Sequence, residues 1–157
     1  MQFINGCLTA SLIYLMSSPA YANEILLHVS NQEGQTLALD RLTLETLPQK
    51  TVKTSTIWTD GVIEFSGPVL IDVLHQAGID SGRVEFLALN DYRLEMEVAD
   101  FSKDWPIIAT RREGEPFGIR ENGPLWVIYP FDEGGQLSDE RTFAASVWQL
   151  VKITELP

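Results

Sequence analysis

The stretch from Trp58 to Gly78 constrains the fold most, because it combines a polar loop with a well-delimited helix. Either residue of the Ser66-Gly67 pair can accept the first free amides of a helix, and Pro68 suits a first turn whose N–H has no partner. Gly78 suits the left-handed residue that follows a helix. The sequence therefore predicts a helix over residues 68–77, with one apolar face at helical spacing formed by Val69, Leu70, Val73, Leu74 and Ala77.

The strand predicted just before this stretch, over residues 51–58, carries hydroxyl side chains on both of its faces. A strand with one plain core face would alternate apolar and polar residues instead. We therefore expect this strand to border solvent or to line a pocket, and a site to open at the polar loop 59–61.

Residues 1–22 differ from the rest of the chain, because they contain no Asp, Glu, Lys or Arg. Their apolar run, Leu8 to Met16, is too short to span a bilayer and precedes an Ala-x-Ala site that ends at Ala22. This order predicts a secretory signal peptide cleaved after Ala22, with a single mature domain over residues 23–157 in the periplasm or outside the cell. An uncleaved anchor is the alternative, since the terminal amine is the only positive charge of the segment.

The formal net charge of -11 at pH 7 argues against polyanionic partners. Nucleic acid and anionic membrane surfaces would be repelled, so membrane contact is expected only through an uncleaved N-terminus. The one cysteine, Cys7, lies in the expected signal peptide. The mature domain is therefore expected to have no disulfide, no thiolate nucleophile and no sulfur ligand for a metal.

Strand patterns outnumber helical patterns after the signal peptide. Two hairpins are predicted, over residues 24–39 and 83–98, the second with Asn90 and Asp91 in its turn. Further strands are predicted over 107–111, 125–130 and 149–154, and short helices over 44–47 (capped by Thr43), 101–105 and 141–147. One principal helix and several short ones among mixed sheets predict an α+β domain.

The residues that most often carry catalysis are sparse and separated. Neither His28 nor His75 has a nucleophile and an acid near it in sequence, and we interpret both as structural or surface residues. Ser66 lacks the preceding Gly-x of a nucleophile elbow and is interpreted as a helix cap. The acidic segment 131–140 is interpreted as a solvated surface loop rather than a calcium site, because its spacing is not that of an EF-hand. With no mature cysteine, no zinc site is predicted.

Arginines and aromatic residues provide the remaining signals. Four arginines at strand ends or in loops can bind a carboxylate or phosphate, but we favour pairing with surface carboxylates for Arg111, Arg112, Arg120 and Arg141. Core packing explains most aromatic residues. Trp58 and Tyr92 border polar turns, so they can form the sides of a pocket.

Short motifs follow one another after the hydroxyl-rich strand and Trp58: Phe65-Ser-Gly67, Leu70-x-Asp72-x-Leu74-x-x-Ala77-Gly78, Asn90-Asp-Tyr92, Ile108-Ala109, Gly114-Glu-Pro116, Gly123-Pro-Leu125 and Tyr129-Pro130. Their order and spacing resemble the molybdopterin-binding domain of the sulfite oxidase family, from about residue 26 to residue 156. The resemblance implies the sulfite oxidase fold, an α+β domain of mixed β-sheets with one principal helix and several short helices.

The chain departs from this family at positions that bear on the cofactor. Redox members hold molybdenum through a cysteine before the Trp58 region, where this chain has Thr54-Ser-Thr-Ile57, and a hydroxyl replaces a soft thiolate poorly. The family's His-Gly-Gly-Pro and following arginine correspond to Glu121-Asn-Gly-Pro124 and Trp126, and its Ser-Val-Lys to Ser146-Val-Trp148. Groups that would help hold an anionic cofactor are thus replaced by an acid and two indoles.

These departures favour a non-catalytic, exported domain that uses the retained pocket to bind a small ligand or a periplasmic or membrane protein partner. No cofactor is expected, and no catalytic residue or metal ligand. The alternative is a molybdopterin-dependent periplasmic oxidoreductase with atypical metal ligation. The residues expected to line the pocket are Thr54, Thr56, Trp58, Asn90, Asp91, Tyr92 and Arg112.

Overall fold

The computed structural model describes residues 24–157. The predicted signal peptide, its cleavage site after Ala22 and Cys7 lie outside these residues. Among the helices of the described part of the chain, none combines the length and the apolar character needed to cross a bilayer.

The described residues form eleven strands and three α-helices. In chain order they are β1 (Ile25–Ser30), β2 (Thr36–Asp40), α1 (Arg41–Thr46), β3 (Gln49–Ser55), β4 (Val62–Pro68), α2 (Leu70–Gln76), β5 (Arg83–Ala88), β6 (Arg93–Glu97), β7 (Ile107–Ala109), β8 (Arg111–Arg112), β9 (Glu115–Pro116), β10 (Trp126–Ile128), α3 (Glu140–Ala145) and β11 (Leu150–Leu156). Short 3₁₀ turns lie at Val98–Asp100, Ile119–Glu121, Phe131–Glu133 and Gly135–Ser138.

The largest sheet has five strands in the order β2-β1-β11-β5-β6. Strands β1 and β11 pair in parallel, with His28 opposite Lys152, and the other neighbours are antiparallel. Alternate residues of these strands are buried, including Leu27 and Val29 of β1 and Phe86 of β5. The predicted hairpins are therefore confirmed, and so is the α+β class with mixed sheets.

A second sheet has the order β3-β4-β8-β9, and β7 pairs with β10. The backbones of β4 and β7 approach each other closely at Gly67, where a Cβ atom would lie 1.9 Å from the Ile108 carbonyl oxygen. Only glycine allows this approach, because the obstacle is backbone and cannot rotate away. This approach places β4 against the pair β7–β10, whose six residues are all buried.

The principal helix differs from its prediction at the N-terminus. Ser66 and Gly67 belong to β4, Pro68 is the last residue of that strand, and α2 begins at Leu70 without a side-chain cap. The Leu70 N–H donates instead to the Pro106 carbonyl oxygen at 2.9 Å, so a distant segment satisfies the first free amide. The predicted cap was therefore wrong. The rest is confirmed: the apolar face of α2 is buried, and Gly78 adopts φ +76° just after it.

Three further local predictions differ from the structure. The helix α1 is capped by Asp40, whose carboxylate accepts the Thr43 N–H at 2.7 Å, rather than by Thr43 itself. The helix predicted over 101–105 is absent, because the Ser102 hydroxyl accepts the amides of Asp104 and Trp105 and holds a turn there.

The remaining difference concerns the acidic segment 131–140. Its carboxylates lie at the surface as predicted, but the segment contains two 3₁₀ turns and its first residue, Phe131, is buried. Phe131 stacks on Phe143 of α3 with ring centroids 5.0 Å apart. The segment is therefore anchored to the core rather than being a plain loop.

Candidate functional site

A cavity of about 340 Å³ opens between the residues after β3, the β5–β6 turn and α3 with the segment that follows it. We call it the aromatic cavity. It is lined by Trp58, Ala88, Asn90, Tyr92, Glu140, Phe143, Ala144, Ser146, Val147 and Trp148.

Aromatic rings set at large angles to one another form most of this lining. The Trp58 ring lies 5.1 Å from that of Trp148 at an interplanar angle of 70°, and 6.1 Å from that of Phe143 at 81°. Trp126, which is fully buried, supports both indoles from the core side at centroid distances of 6.0 and 6.3 Å. Edge-to-face packing of this kind stabilises a definite arrangement of the rings.

A buried hydrogen-bond network fixes the inner end of the cavity. The Trp126 indole N–H donates to the Ser146 hydroxyl oxygen at 3.0 Å, and the Ser146 hydroxyl donates to the Val127 carbonyl oxygen at 2.7 Å. Ser146 is 2% exposed, so these bonds are shielded from water. They hold the residues that precede Trp148 against β10.

The polar groups at the opening of the cavity are few and partly engaged already. The Tyr92 hydroxyl donates to the Ala144 carbonyl oxygen at 3.1 Å, and the Asn90 side-chain oxygen accepts the Tyr92 N–H at 3.2 Å. Glu140 is the only charged residue of the lining. No lysine or arginine lines the aromatic cavity, so its electrostatic character is set by one carboxylate.

Three of the seven predicted pocket residues line the aromatic cavity, namely Trp58, Asn90 and Tyr92. Asp91 lies in the same turn with φ +64°, and its N–H donates to the Ala88 carbonyl oxygen, but its side chain is exposed outside the cavity. The structure therefore brings the β5–β6 turn and the residues after β3 together at one cavity.

The structure places the other three predicted residues elsewhere. Thr54 is fully buried, and its hydroxyl accepts the Asp132 N–H at 3.1 Å. Thr56 is buried too, with its hydroxyl 2.9 Å from that of Thr59. Arg112 lies on β8 of the second sheet, opposite Phe65.

Sequence reasoning missed the part of the lining that α3 and the following residues contribute. Phe143 and Val147 are four residues apart within the helix predicted over 141–147, and Trp148 follows directly. That spacing predicts one apolar face. The sequence does not show that this face meets the β5–β6 turn, because the contact joins residues far apart in the chain.

Two of the four singled-out arginines form ion pairs, as favoured from the sequence. Arg111 binds Glu45 through two hydrogen bonds of 2.8 and 3.0 Å, and this contact raises the pKa of Arg111. Arg141 pairs with Asp100. Both arginines therefore serve surface pairing rather than an anion site.

The acidic residues of the described part of the chain do not converge on one point. Within residues 24–157 no group of three or more His, Cys, Asp or Glu side chains is placed to hold a metal ion. Asp132 accepts the Ser55 hydroxyl and N–H, and Asp139 caps α3 by accepting the Thr142 N–H at 2.8 Å. These hydrogen bonds lower the pKa of both carboxyl groups and give them structural roles.

A second cavity of about 180 Å³ lies on the other side of α3 and is more polar. Its lining includes the Asp100–Arg141 ion pair and the hydroxyl-bearing ring of Tyr129. Burial raises the pKa of Tyr129 and keeps that hydroxyl protonated. Because Arg141 is already paired with Asp100 and the third charged residue of the lining, Asp139, caps α3, this cavity offers less to a ligand than the aromatic cavity.

No protein-family model and no curated protein sequence matches the chain. Among solved structures the fold matches that of a sulfite oxidase-like domain, which confirms the α+β fold expected from the sequence. One matching structure is the sulfane dehydrogenase SoxCD from Paracoccus pantotrophus. The match has a TM-score of 0.60 and 13% sequence identity, and it covers 82% of this chain. This chain covers 37% of the length of that one. At this identity the similarity shows the fold alone.

Proposed function

We propose that this domain is a non-catalytic, exported binding module that holds a small and largely apolar organic ligand in the aromatic cavity. The observation that carries the proposal is the lining itself, in which four aromatic side chains surround a concave space with one charged residue, Glu140. Ligand sites in proteins are typically concave, mostly apolar and about 300–1,000 Å³ in volume, with few polar groups. The aromatic cavity, at about 340 Å³, has these properties.

Molybdopterin is not the ligand that we propose, because the side chains present do not suit it. The family resemblance implies an anionic cofactor whose molybdenum bonds a cysteine thiolate. None of the described residues is a cysteine, and the hydroxyl of Thr54, in the corresponding stretch, already accepts the Asp132 N–H. An anionic group in the aromatic cavity would meet the Glu140 carboxylate and no cationic side chain.

Binding can be tested with N-phenyl-1-naphthylamine, a neutral aromatic probe that becomes fluorescent in apolar sites. We expect a saturable rise in fluorescence with one probe per chain. The Ala144→Phe substitution should abolish it, because Ala144 lines the cavity while being exposed, so a larger ring fills the space without entering the core. The matched control is Ala99→Phe, at an exposed position outside the cavity, which should leave binding unchanged.

Two results would contradict the proposal. The first is a lack of specific probe binding. It would be seen either as a wild-type protein that does not bind the probe or as an Ala144→Phe variant that binds it as well as Ala99→Phe does. The second is stoichiometric molybdenum and pterin in protein purified from its native host. Circular dichroism and thermal unfolding of each variant show whether lost binding reflects lost folding.

Export is a separate part of the proposal and rests on the signal-like segment before Asn23. N-terminal sequencing of protein recovered from the periplasm or the medium should begin at Asn23. Protein that retains Met1 and sediments with membranes would support the uncleaved anchor instead.

A further inference from the structure

We propose that the aromatic cavity selects a small organic cation of the quaternary ammonium class. This inference rests on the proposed function and narrows it from any apolar ligand to one with a permanent positive charge. Three properties of the lining support it: the aromatic rings, the sign of the one charge, and the small number of hydrogen-bond acceptors.

The aromatic rings of the lining are set at steep angles to one another. Trp148 and Phe143 are both tilted by 70° or more from Trp58, and Tyr92 contributes a further ring to the lining. A cation over the face of an aromatic ring is attracted by the ring quadrupole, most strongly over tryptophan. Two indoles and two six-membered rings around one space therefore favour a cation over a neutral ligand of equal shape.

The charge of the lining acts in the same direction. Glu140 is exposed at the first turn of α3 and has no ion pair among residues 24–157, so its charge is not neutralised by a neighbouring arginine or lysine. The lining holds no cationic side chain, and the whole chain has a formal charge of -11. A positive ligand is attracted over a distance, and an anionic ligand is repelled.

The few polar groups of the lining favour a quaternary ammonium group over a primary one. The Tyr92 hydroxyl proton is engaged by the Ala144 carbonyl oxygen, and the Asn90 side-chain oxygen already accepts the Tyr92 N–H. A primary ammonium has three N–H donors. The Glu140 carboxylate can accept from some of them, but each donor that faces the aromatic rings without an acceptor is unfavourable on burial. A trimethylammonium group has no N–H and presents methyl groups to the rings, so it fits this lining better.

The test compares choline with 3,3-dimethylbutan-1-ol, a neutral alcohol of nearly the same shape in which carbon replaces nitrogen. Binding of each is followed directly by the tryptophan fluorescence of the full domain, since Trp58 and Trp148 line the cavity. We expect choline to bind about tenfold more tightly than the alcohol, from the magnitude of cation–π attraction in partly desolvated sites. Methylamine hydrochloride, the primary ammonium probe, should bind more weakly than choline.

Variants separate the contributions of the rings and the carboxylate. Tyr92→Leu removes one ring of the lining and should weaken the binding of choline more than that of the alcohol. Glu140→Gln should weaken choline about threefold, in the range of an exposed charge interaction, and the effect should diminish with salt. Glu133→Gln removes an equal charge from an exposed position outside the cavity and should have little effect.

The outcomes distinguish the two proposals. If N-phenyl-1-naphthylamine binds but the alcohol binds as tightly as choline, cation selectivity is refuted and the binding-module proposal stands. If choline produces no saturable change at all, the inference is likewise overturned. Failure of both choline and the naphthylamine probe refutes the binding module together with its selectivity.

Discussion

The approach of Gly67 in β4 to the backbone of β7 provides a quantitative test of the packing. An added Cβ would lie 1.9 Å from the Ile108 carbonyl oxygen, 2.8 Å from its carbonyl carbon and 3.0 Å from Ala109 Cα. Non-bonded carbon atoms in contact lie about 3.5–4.0 Å apart, so Gly67→Ala requires the strands to separate by more than about 1 Å. Every residue of β7 and its partner β10 is buried, which leaves little room for such a shift.

The expected loss of stability follows from this geometry. Overpacking a core typically destabilises by about 1–3 kcal/mol. Because the obstacle here is backbone rather than a flexible side chain, we expect Gly67→Ala to lower the free energy of unfolding by about 3 kcal/mol or more. For a domain of this size that corresponds to a fall in Tm of about 10 °C.

The assay is urea denaturation and thermal unfolding of Gly67→Ala beside a matched glycine substitution. Gly118 is exposed, has φ -104°, and has no atom within 4 Å of an added Cβ. Gly118→Ala should therefore change the free energy of unfolding by less than about 1 kcal/mol in either direction. A Gly67→Ala protein as stable as Gly118→Ala would refute the argument, because it would mean that β4 and β7 do not pack this closely.

Three further predictions concern the side-chain hydrogen bonds of Ser146, Ser55 and Asp132. Ser146→Ala removes an acceptor of the Trp126 indole N–H and a donor to the Val127 carbonyl oxygen. The free energy of unfolding in urea should therefore fall by about 1–2 kcal/mol. An unchanged value would contradict the proposed role of this hydrogen-bond network. Hydrogen bonds from Ser55 hold the pKa of Asp132 below its ordinary value of 3.8, so Ser55→Ala should raise that pKa in an NMR titration. Since the folded-state pKa is the lower one, the stabilisation by Asp132 is present above pH 3.8 and is lost as the pH falls through the folded-state value. The free energy of unfolding of Asp132→Asn should therefore differ from that of the wild type, and the difference should shrink in acid.

Local patterns predicted the fold well where one segment determines its own structure. The apolar face of α2 and the left-handed Gly78 follow from spacing and from the freedom of glycine, and both were confirmed. The start of α2 was not predictable in this way, because Pro106 supplies the acceptor for its first amide. The strand β4 was missed for a related reason. Its Ser66-Gly67 end resembles a helix cap, while the glycine serves a close approach that only the tertiary structure shows.

The lining of the candidate site was likewise predictable only where the signal is local. Trp58 and Tyr92 border polar turns, and that local signal identified them as lining residues, whereas Asn90 was expected there from the family resemblance. The contribution of α3 depends on which element packs against the β5–β6 turn, a contact sealed by the bond from the Tyr92 hydroxyl to the Ala144 carbonyl oxygen. The role of the Thr54 hydroxyl in β3 was not predictable from the local sequence either, because it accepts the N–H of Asp132, which lies far along the chain.

The parallel pairing of β1 with β11 also governs when the domain can fold. The strand made first among the described residues lies between β2 and the strand made last, and β11 also pairs with β5. Without residues 150–156, the strands of the five-stranded sheet can pair only as two separate hairpins, β1–β2 and β5–β6, each with an open edge. Native folding of this sheet therefore requires β11, and a chain that ends before Leu150 exposes strand edges of the kind that promote aggregation.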